Sequence, residues 1–222
     1  MAAEASGARV IALRCSACHG ALPAASNDVA FRCPQCGRAW EIIGGVLRER
    51  PSAFVAPPPS PRHPILYLPY WSFPVSAKAT PSGFQEESHL KARDRAAKFE
   101  RAFVSAFSIY RPTYVGEWGL VYTRLPPKWQ TRTGHGPRAP GATISGFDAR
   151  KLAALYILGE IDRAADIGSL EIELDVGEPE LWAIPCYDLG EGIRCPWSRA
   201  ELPVGALDDV AEIRRVTQRL EA

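Results

Sequence analysis

The chain has 222 residues, 46% of them hydrophobic and 23% charged, and a formal net charge of +1. These values are typical of a globular protein with one ordinary domain and one small one, and the net charge alone indicates no strongly charged partner. The charge is unevenly distributed. Residues 1–147 carry 18 basic and 9 acidic side chains, whereas residues 148–222 carry 8 basic and 16 acidic ones. Such polarity either marks a binding face or makes the two halves attract each other.

The cellular location is predicted from features that the sequence lacks. The N-terminus has neither the basic start nor the apolar run of a secretory signal, and no apolar stretch reaches the roughly 18 residues that a membrane helix needs. We therefore expect a cytoplasmic protein without a transmembrane segment. In that compartment the six cysteines are reduced thiols or metal ligands rather than disulfides.

Two Cys-x-x-Cys pairs stand near the N-terminus, Cys15 with Cys18 and Cys33 with Cys36. Four thiolates at this spacing predict a closed tetrahedral site for one structural Zn²⁺ ion, of the zinc-ribbon type. Short strands are predicted beside these pairs, at residues 10–13, 29–32 and 39–43.

Metal binding should contribute strongly to the folding of this module. Residues 1–50 cannot bury enough apolar surface to fold alone, so the ion is expected to supply much of the folding free energy. Gly20 and Gly37 follow the two cysteine pairs. Both are predicted to take the positive φ that turns backbone N–H groups toward the sulfurs.

Three further interpretations of the four cysteines are open. The run from Cys15 to His19 matches the c-type haem attachment motif Cys-x-x-Cys-His, although that chemistry leaves Cys33 and Cys36 unexplained. A redox dithiol is a second interpretation, but two matched pairs favour a metal over thiol exchange. An iron centre, the third, uses the same four thiolates. Tetrahedral sulfur sites with this spacing are mostly zinc sites, and zinc is therefore favoured.

A wider pattern surrounds these ligands. It comprises Leu13, Gly20, Leu22, Phe31, Trp40, Ile42, Gly44, Gly45 and Val46. Over residues 10–47 the sequence resembles a small zinc-ribbon family that includes the activator subunit of tRNA and protein methyltransferases. That family usually has Tyr-Pro-Ile where this chain has Trp40-Glu41-Ile42. The resemblance implies a structural zinc ion and a docking role, without catalysis. The whole chain is also similar to bacterial proteins with such a ribbon ahead of a mixed domain, and no function comes with that similarity.

The rest of the chain predicts a proline-rich linker at 51–64 and an α+β domain at 65–222, with a mainly antiparallel sheet and two or three helices. The predicted strands lie at 65–75, where prolines favour an edge position, at 119–125, and at 169–176, where apolar and acidic residues alternate strictly. The predicted helices lie at 86–101, at 147–165 with Ser145 as its cap, and at 207–222. In the helix at 147–165 the predicted core-facing residues are Leu152, Leu155, Tyr156, Leu158, Gly159 and Ile161.

A long polar loop follows the predicted strand at 119–125. Between Trp118 and Phe147 there is no acidic residue. Basic residues interleaved with an aromatic one are a weak indication of contact with single-stranded nucleic acid or another anion. The candidate contact residues are Arg124, Lys128, Trp129, Arg132 and Arg138. A solvated surface loop explains the same pattern.

Cys186 and Cys195 flank a predicted hairpin at 188–192. They could supply at most two ligands of a second metal site, and no nearby Cys or His could supply the others. Buried apolar thiols are the simpler interpretation.

No nucleotide-binding loop, nucleophile elbow or metalloprotease motif is present, so no residue is assigned a catalytic role. The sequence favours a non-catalytic zinc-ribbon interaction protein that docks onto or stabilises a larger protein assembly. The first alternative is a nucleic-acid-binding protein that uses the ribbon and the basic loop at 124–138. The second is an activating subunit of a partner enzyme.

Overall fold

The computed structural model describes residues 12–83, 86–107, 112–198, 200–203 and 210–218. Within these residues the protein is α+β, with mainly antiparallel sheets, and the four-cysteine cluster precedes the main sheet. The predicted fold class is therefore confirmed. Residues 10–11 of the first predicted strand and residues 207–209 and 219–222 of the last predicted helix lie outside the described part.

The elements follow one another from the cysteine cluster to the C-terminal helix. The N-terminal sheet has the strand order β1 (Ala30–Arg32), β2 (Ala39–Ile43), β3 (Val46–Arg50). The larger sheet contains β4 (Ser52–Val55), β5 (Ile65–Pro81), β6 (Arg101–Ser105), β7 (Thr131–Arg132), β8 (Leu170–Val176), β9 (Glu180–Asp188), β10 (Gly192–Arg194) and β11 (Glu201–Pro203). The helices are α1 (Glu87–Ala96), α2 (Pro112–Arg124), α3 (Gly146–Asp162) and α4 (Val210–Gln218).

Strand β5 is the central strand of the main domain. It is antiparallel to β9 over residues 65–72, to β6 over 70–74 and to β8 over 75–81. The prediction of an edge position was therefore wrong. Its two internal prolines are tolerated because Pro69 precedes the segment paired with β6 and Pro74 ends it.

Both faces of β5 are buried over residues 66–73, which explains the apolar run there, whereas residues 74–80 alternate between exposed and buried. Trp71 and Phe73 lie in a core with α1 and α3, whereas Leu68 and Tyr70 lie in a second core with α2 and α4. Because successive side chains point to opposite faces, one strand supports both cores.

Two predicted elements differ from the observed ones. The helix predicted at 86–101 ends at Ala96, and Arg101 begins β6, whose residues 102–105 are all buried. The strand predicted at 119–125 is instead the C-terminal half of α2. Trp118 and Tyr122, four residues apart, pack into the second core, a spacing that suits a helix. A Cβ at Gly119 would stand 2.5 Å from the carbonyl oxygen of Phe103, so glycine allows α2 to lie against β6.

The predicted linker at 51–64 is corrected at its start. Ser52–Val55 forms β4, parallel to β9 and antiparallel to β7, and Val55 is fully buried. The residues between β4 and β5 form no helix or strand. The chain therefore enters the main sheet directly after the N-terminal sheet.

Helix α3 turns only part of the predicted face to the core: Ile161 is buried, and Leu152 and Tyr156 are partly buried against it. The buried residues are Gly146, Ala149, Ala153, Ile157, Glu160 and Ile161, whereas Leu155 is 62% exposed. Small alanines let the helix approach the sheet closely, so the larger leucine faces outward. The predicted Ser145 cap is confirmed, since its Oγ accepts a hydrogen bond from the backbone N–H of Asp148. The alternating strand at β8 is also confirmed.

The N-terminal sheet is packed onto the main domain through a buried carboxylate. Glu41 on β2 is 1% exposed. Its Oε1 accepts a 2.7 Å hydrogen bond from the backbone N–H of Gly146, the first residue of α3, and its Oε2 accepts one of 2.7 Å from Arg50. The carboxylate thus accepts a hydrogen bond from an N–H that has no partner within the helix. Its negative charge also interacts favourably with the positive end of the helix dipole.

We expect Glu41→Ala to destabilise the protein by about 3 kcal/mol, because it leaves Arg50 without its buried partner and the helix start without an acceptor. The matched control is Glu178→Ala, which removes an exposed partner of the same arginine and should cost less than about 1 kcal/mol. Urea unfolding of the metal-loaded chain measures both. Equal losses in the two variants would contradict this role of Glu41.

Candidate metal centre

The four predicted ligands lie together. The sulfurs of Cys15, Cys18, Cys33 and Cys36 are all within 4.8 Å of one another, with Sγ–Sγ distances of 3.5 Å between Cys15 and Cys36 and between Cys18 and Cys33. A regular tetrahedron with metal–sulfur bonds of ~2.3 Å has sulfur–sulfur separations of roughly 3.8 Å. The cluster can therefore hold one metal ion with four sulfur ligands.

Each cysteine pair forms the same tight turn. The N–H of Cys15 donates to the carbonyl of Gly20 at 2.9 Å, and that of Cys33 donates to the carbonyl of Arg38 at 2.8 Å. The residue directly after each pair takes positive φ, 59° at His19 and 77° at Gly37. The prediction of positive φ is confirmed for Gly37. It was wrong for Gly20, because in the first turn the residue with positive φ is His19, one position before Gly20. The side chain of His19 is exposed and outside the cluster.

The electrostatics of the cluster favour a bound cation. Burial opposes ionisation of Cys15, but hydrogen bonds from the backbone N–H groups of Cys18 and Ala17 and from neighbouring thiols lower its pKa to about 6. Burial, together with the surrounding thiols, raises the pKa of Cys36 to about 12. Ionisation of Cys15 is thus favoured, whereas ionisation of Cys36 is opposed. A cation that allows all four to ionise must displace protons, so its affinity falls as the pH falls.

The second cysteine turn contacts the basic loop of the main domain. Arg32, which precedes Cys33 and is 4% exposed, donates to the carbonyl of Gly134 and, at 3.1 Å, to that of Pro137. A Cβ at Gly37 would stand 1.6 Å from the carbonyl oxygen of Gly134, so only glycine fits there. The metal cluster and this loop therefore share one packed contact. Sequence reasoning missed Arg32, since its local pattern does not indicate acceptors a hundred positions away.

The five basic-loop candidates do not form one surface. Lys128, Trp129 and Arg132 line a common groove. Arg124 lies outside that groove and forms an ion pair with the buried carboxylate of Glu160 on α3. The fifth candidate, Arg138, is half-buried and also lies outside the groove.

The two remaining cysteines are buried thiols. Cys186 lies on β9 and Cys195 directly follows β10, the strand that pairs with β9, and each is 1% exposed. Burial raises the pKa of Cys186. Among the described residues, the four N-terminal cysteines are the one group of three or more metal-ligating side chains that could hold an ion.

Comparisons with known proteins give no relatives: no protein-family model, curated protein or solved structure matches the chain. The resemblance to the methyltransferase-activator ribbons stays a prediction. No helix among the described residues combines the length and the apolar character that crossing a bilayer requires.

We expect the chain to bind one Co²⁺ ion with the absorption bands of tetrahedral thiolate coordination, and Cys33→Ser to lose most of this binding. Removing a ligand should weaken affinity by more than the roughly 10–100-fold that loss of a residue orienting a ligand costs. The matched control, Cys186→Ser, should titrate like the parent chain, because its buried thiol lies outside the cluster. Loss of binding in both variants, or in neither, would argue against the four-sulfur site.

Proposed function

We propose that this is a non-catalytic zinc-ribbon interaction protein that docks onto a larger protein assembly. The observation that carries the proposal is the outward position of two large apolar side chains about two turns apart on α3, Phe147 and Leu155, which are 69% and 62% exposed and are together called the apolar patch below. Aromatic and other large apolar side chains are enriched at the centre of protein–protein interfaces. Both residues lie on α3, and Glu41 of the N-terminal sheet binds the first residue of this helix.

The four-sulfur cluster supports a structural rather than a catalytic ion. Cys15 and Cys33 are fully buried, and four protein ligands complete a tetrahedral shell without an open position for substrate. Sulfur-only tetrahedral donor sets select zinc or iron, and this spacing is most common in zinc sites. We therefore propose zinc as the resident ion.

The surroundings of the apolar patch also suit a protein partner. Phe147 and Lys151 of α3 line a shallow groove with Leu174 and Asp175 of β8. Among the described strands, β8 hydrogen-bonds to β5 alone, which leaves its outer edge available. A small apolar centre with charged residues around it has the composition of a non-obligate interface.

Metal analysis tests the identity of the ion. The protein as purified should contain about one zinc per chain and be colourless, because four thiolates complete one zinc shell and Zn²⁺ has no d–d absorption. Elemental analysis measures the ratio. A coloured protein that contains iron instead would replace the proposed ion.

The docking proposal is tested in native extract from the source cells by comparing the parent chain with Phe147→Glu/Leu155→Glu. The parent chain should migrate in a particle clearly larger than its own 24.3 kDa. The double variant should lose at least roughly 30-fold in affinity for that particle and migrate alone, as expected when central interface residues are replaced.

The matched control is Leu125→Glu, since Leu125 is 76% exposed and follows α2 rather than lying on α3. This variant should remain in the particle. Circular dichroism of all three chains establishes that they are folded. A parent chain that migrates as a solitary monomer would reject the proposed function, and a particle that retains the double variant would reject the α3 patch as its docking surface.

A further inference from the structure

A second surface lies at the opposite side of the main sheet from α3. It is a groove of about 580 Å³, here called the tryptophan groove, and its lining residues are Ala56, Pro57, Pro58, Pro59, Lys128, Trp129, Gln130, Arg132 and Trp197. We propose that the tryptophan groove binds single-stranded nucleic acid, by stacking bases on its two indole rings and holding phosphates with its two cations. This inference goes beyond the docking function and does not depend on it.

Trp129 is fixed in position before any ligand binds. Its ring centroid is 5.2 Å from that of Tyr122, 5.3 Å from Phe103 and 5.5 Å from Trp197, and all three contacts are edge-to-face. The residue is nevertheless only half-buried, so part of the indole faces the groove. An aromatic ring that is held by neighbouring rings and only partly covered offers a stacking surface with little entropy left to lose.

Trp197 lies in a turn that is closed by the same backbone hydrogen bond as the two turns of the four-cysteine cluster. The N–H of Cys195 donates to the carbonyl of Ala200 at 2.8 Å, and the N–H of Ser198 donates to the Sγ of Cys195 at 3.2 Å. Ser198 stands where a second cysteine would complete a Cys-x-x-Cys pair. The turn therefore positions Trp197 against Trp129 without a metal ion.

The floor of the groove is also rigid. The carbonyl of Gln130 accepts a 2.8 Å hydrogen bond from the N–H of Ala56, and the adjoining strands β4 and β7 pair at Val55 and Thr131. This backbone ladder places Lys128 and Arg132 on either side of Gln130. The amide side chain of Gln130 can donate to and accept from a base edge.

The charge of the groove selects an anionic occupant. Lys128 and Arg132 are exposed, form no ion pair with another described residue, and share the groove with no acidic side chain. Cations next to partly open aromatic rings are the arrangement with which proteins bind unpaired bases and their phosphates. A duplex hides its base faces in its own stack, so the indole rings favour a single strand.

The proposal is tested by fluorescence polarisation of a labelled 12-nucleotide single-stranded DNA with the full zinc-loaded chain. The plot of log K against log[salt] should have a slope of about −1.4, the value for two neutralised phosphates on a single strand. Trp197→Ala should weaken binding about ten-fold or more, the loss expected for one stacked base. Lys128→Glu/Arg132→Glu should abolish binding at moderate salt.

Lys91→Glu/Lys98→Glu is the matched control, because it makes the same change of net charge on the exposed surface of α1 and the residues that follow it. This variant should bind like the parent chain, and circular dichroism should find all variants folded. The same strand annealed into a duplex, free nucleoside monophosphate and poly-glutamate are the competitors. Weak competition by all three supports the proposal. Equal competition by any one of them, absence of binding at low salt, or loss of binding in the α1 control overturns it.

Discussion

The contact between the second cysteine turn and the basic loop is the constraint on which the rest of the structure depends. Arg32 is buried because its guanidinium donates to two loop carbonyls, and that burial lowers its pKa. It also lies over the ring of Phe54 on β4, with Cζ 5.2 Å from the ring centroid. Ser52 Oγ donates to the carbonyl of Gly37 at 2.6 Å. The turn therefore carries the geometry of the metal cluster directly into the main sheet.

The uneven charge of the chain has a structural explanation. Ion pairs that join the basic first part to the acidic second part are Arg50–Glu178, Lys78–Glu173, Arg101–Glu180 and Arg124–Glu160. Part of the polarity seen in the sequence thus joins the two halves to each other. Lys128 and Arg132 belong to none of these pairs. Their availability, rather than the net charge of the region, is what distinguishes the tryptophan groove.

The parts of the fold that the sequence predicts are those that local spacing determines. Two Cys-x-x-Cys turns and the alternation of β8 need only neighbouring residues. Leu155 on α3 was wrongly predicted to be buried because hydrophobicity alone favours leucine over alanine for burial, whereas close packing on a sheet favours the smaller side chain. Helix α2 was missed because the aromatic and β-branched residues at 118–124 suit a strand equally well. Trp197 and Arg32 depend on partners far away in the sequence, and no periodicity encodes those contacts.

The metal cluster and the tryptophan groove are connected through the loop residues 132–134, which a hydrogen bond from Arg32 links to the second cysteine turn. Arg32 binds the loop at Gly134, two residues after Arg132, which lines the groove and pairs with β4. If the ion holds the second cysteine turn in place, it also limits the conformations open to this loop. Thermodynamic linkage makes such coupling reciprocal. If a ligand of the groove binds only the ordered loop, the free energy by which the metal tightens ligand binding equals the free energy by which the ligand tightens metal binding. A metal ion held by the four cysteines can therefore change the affinity of a surface that it does not touch.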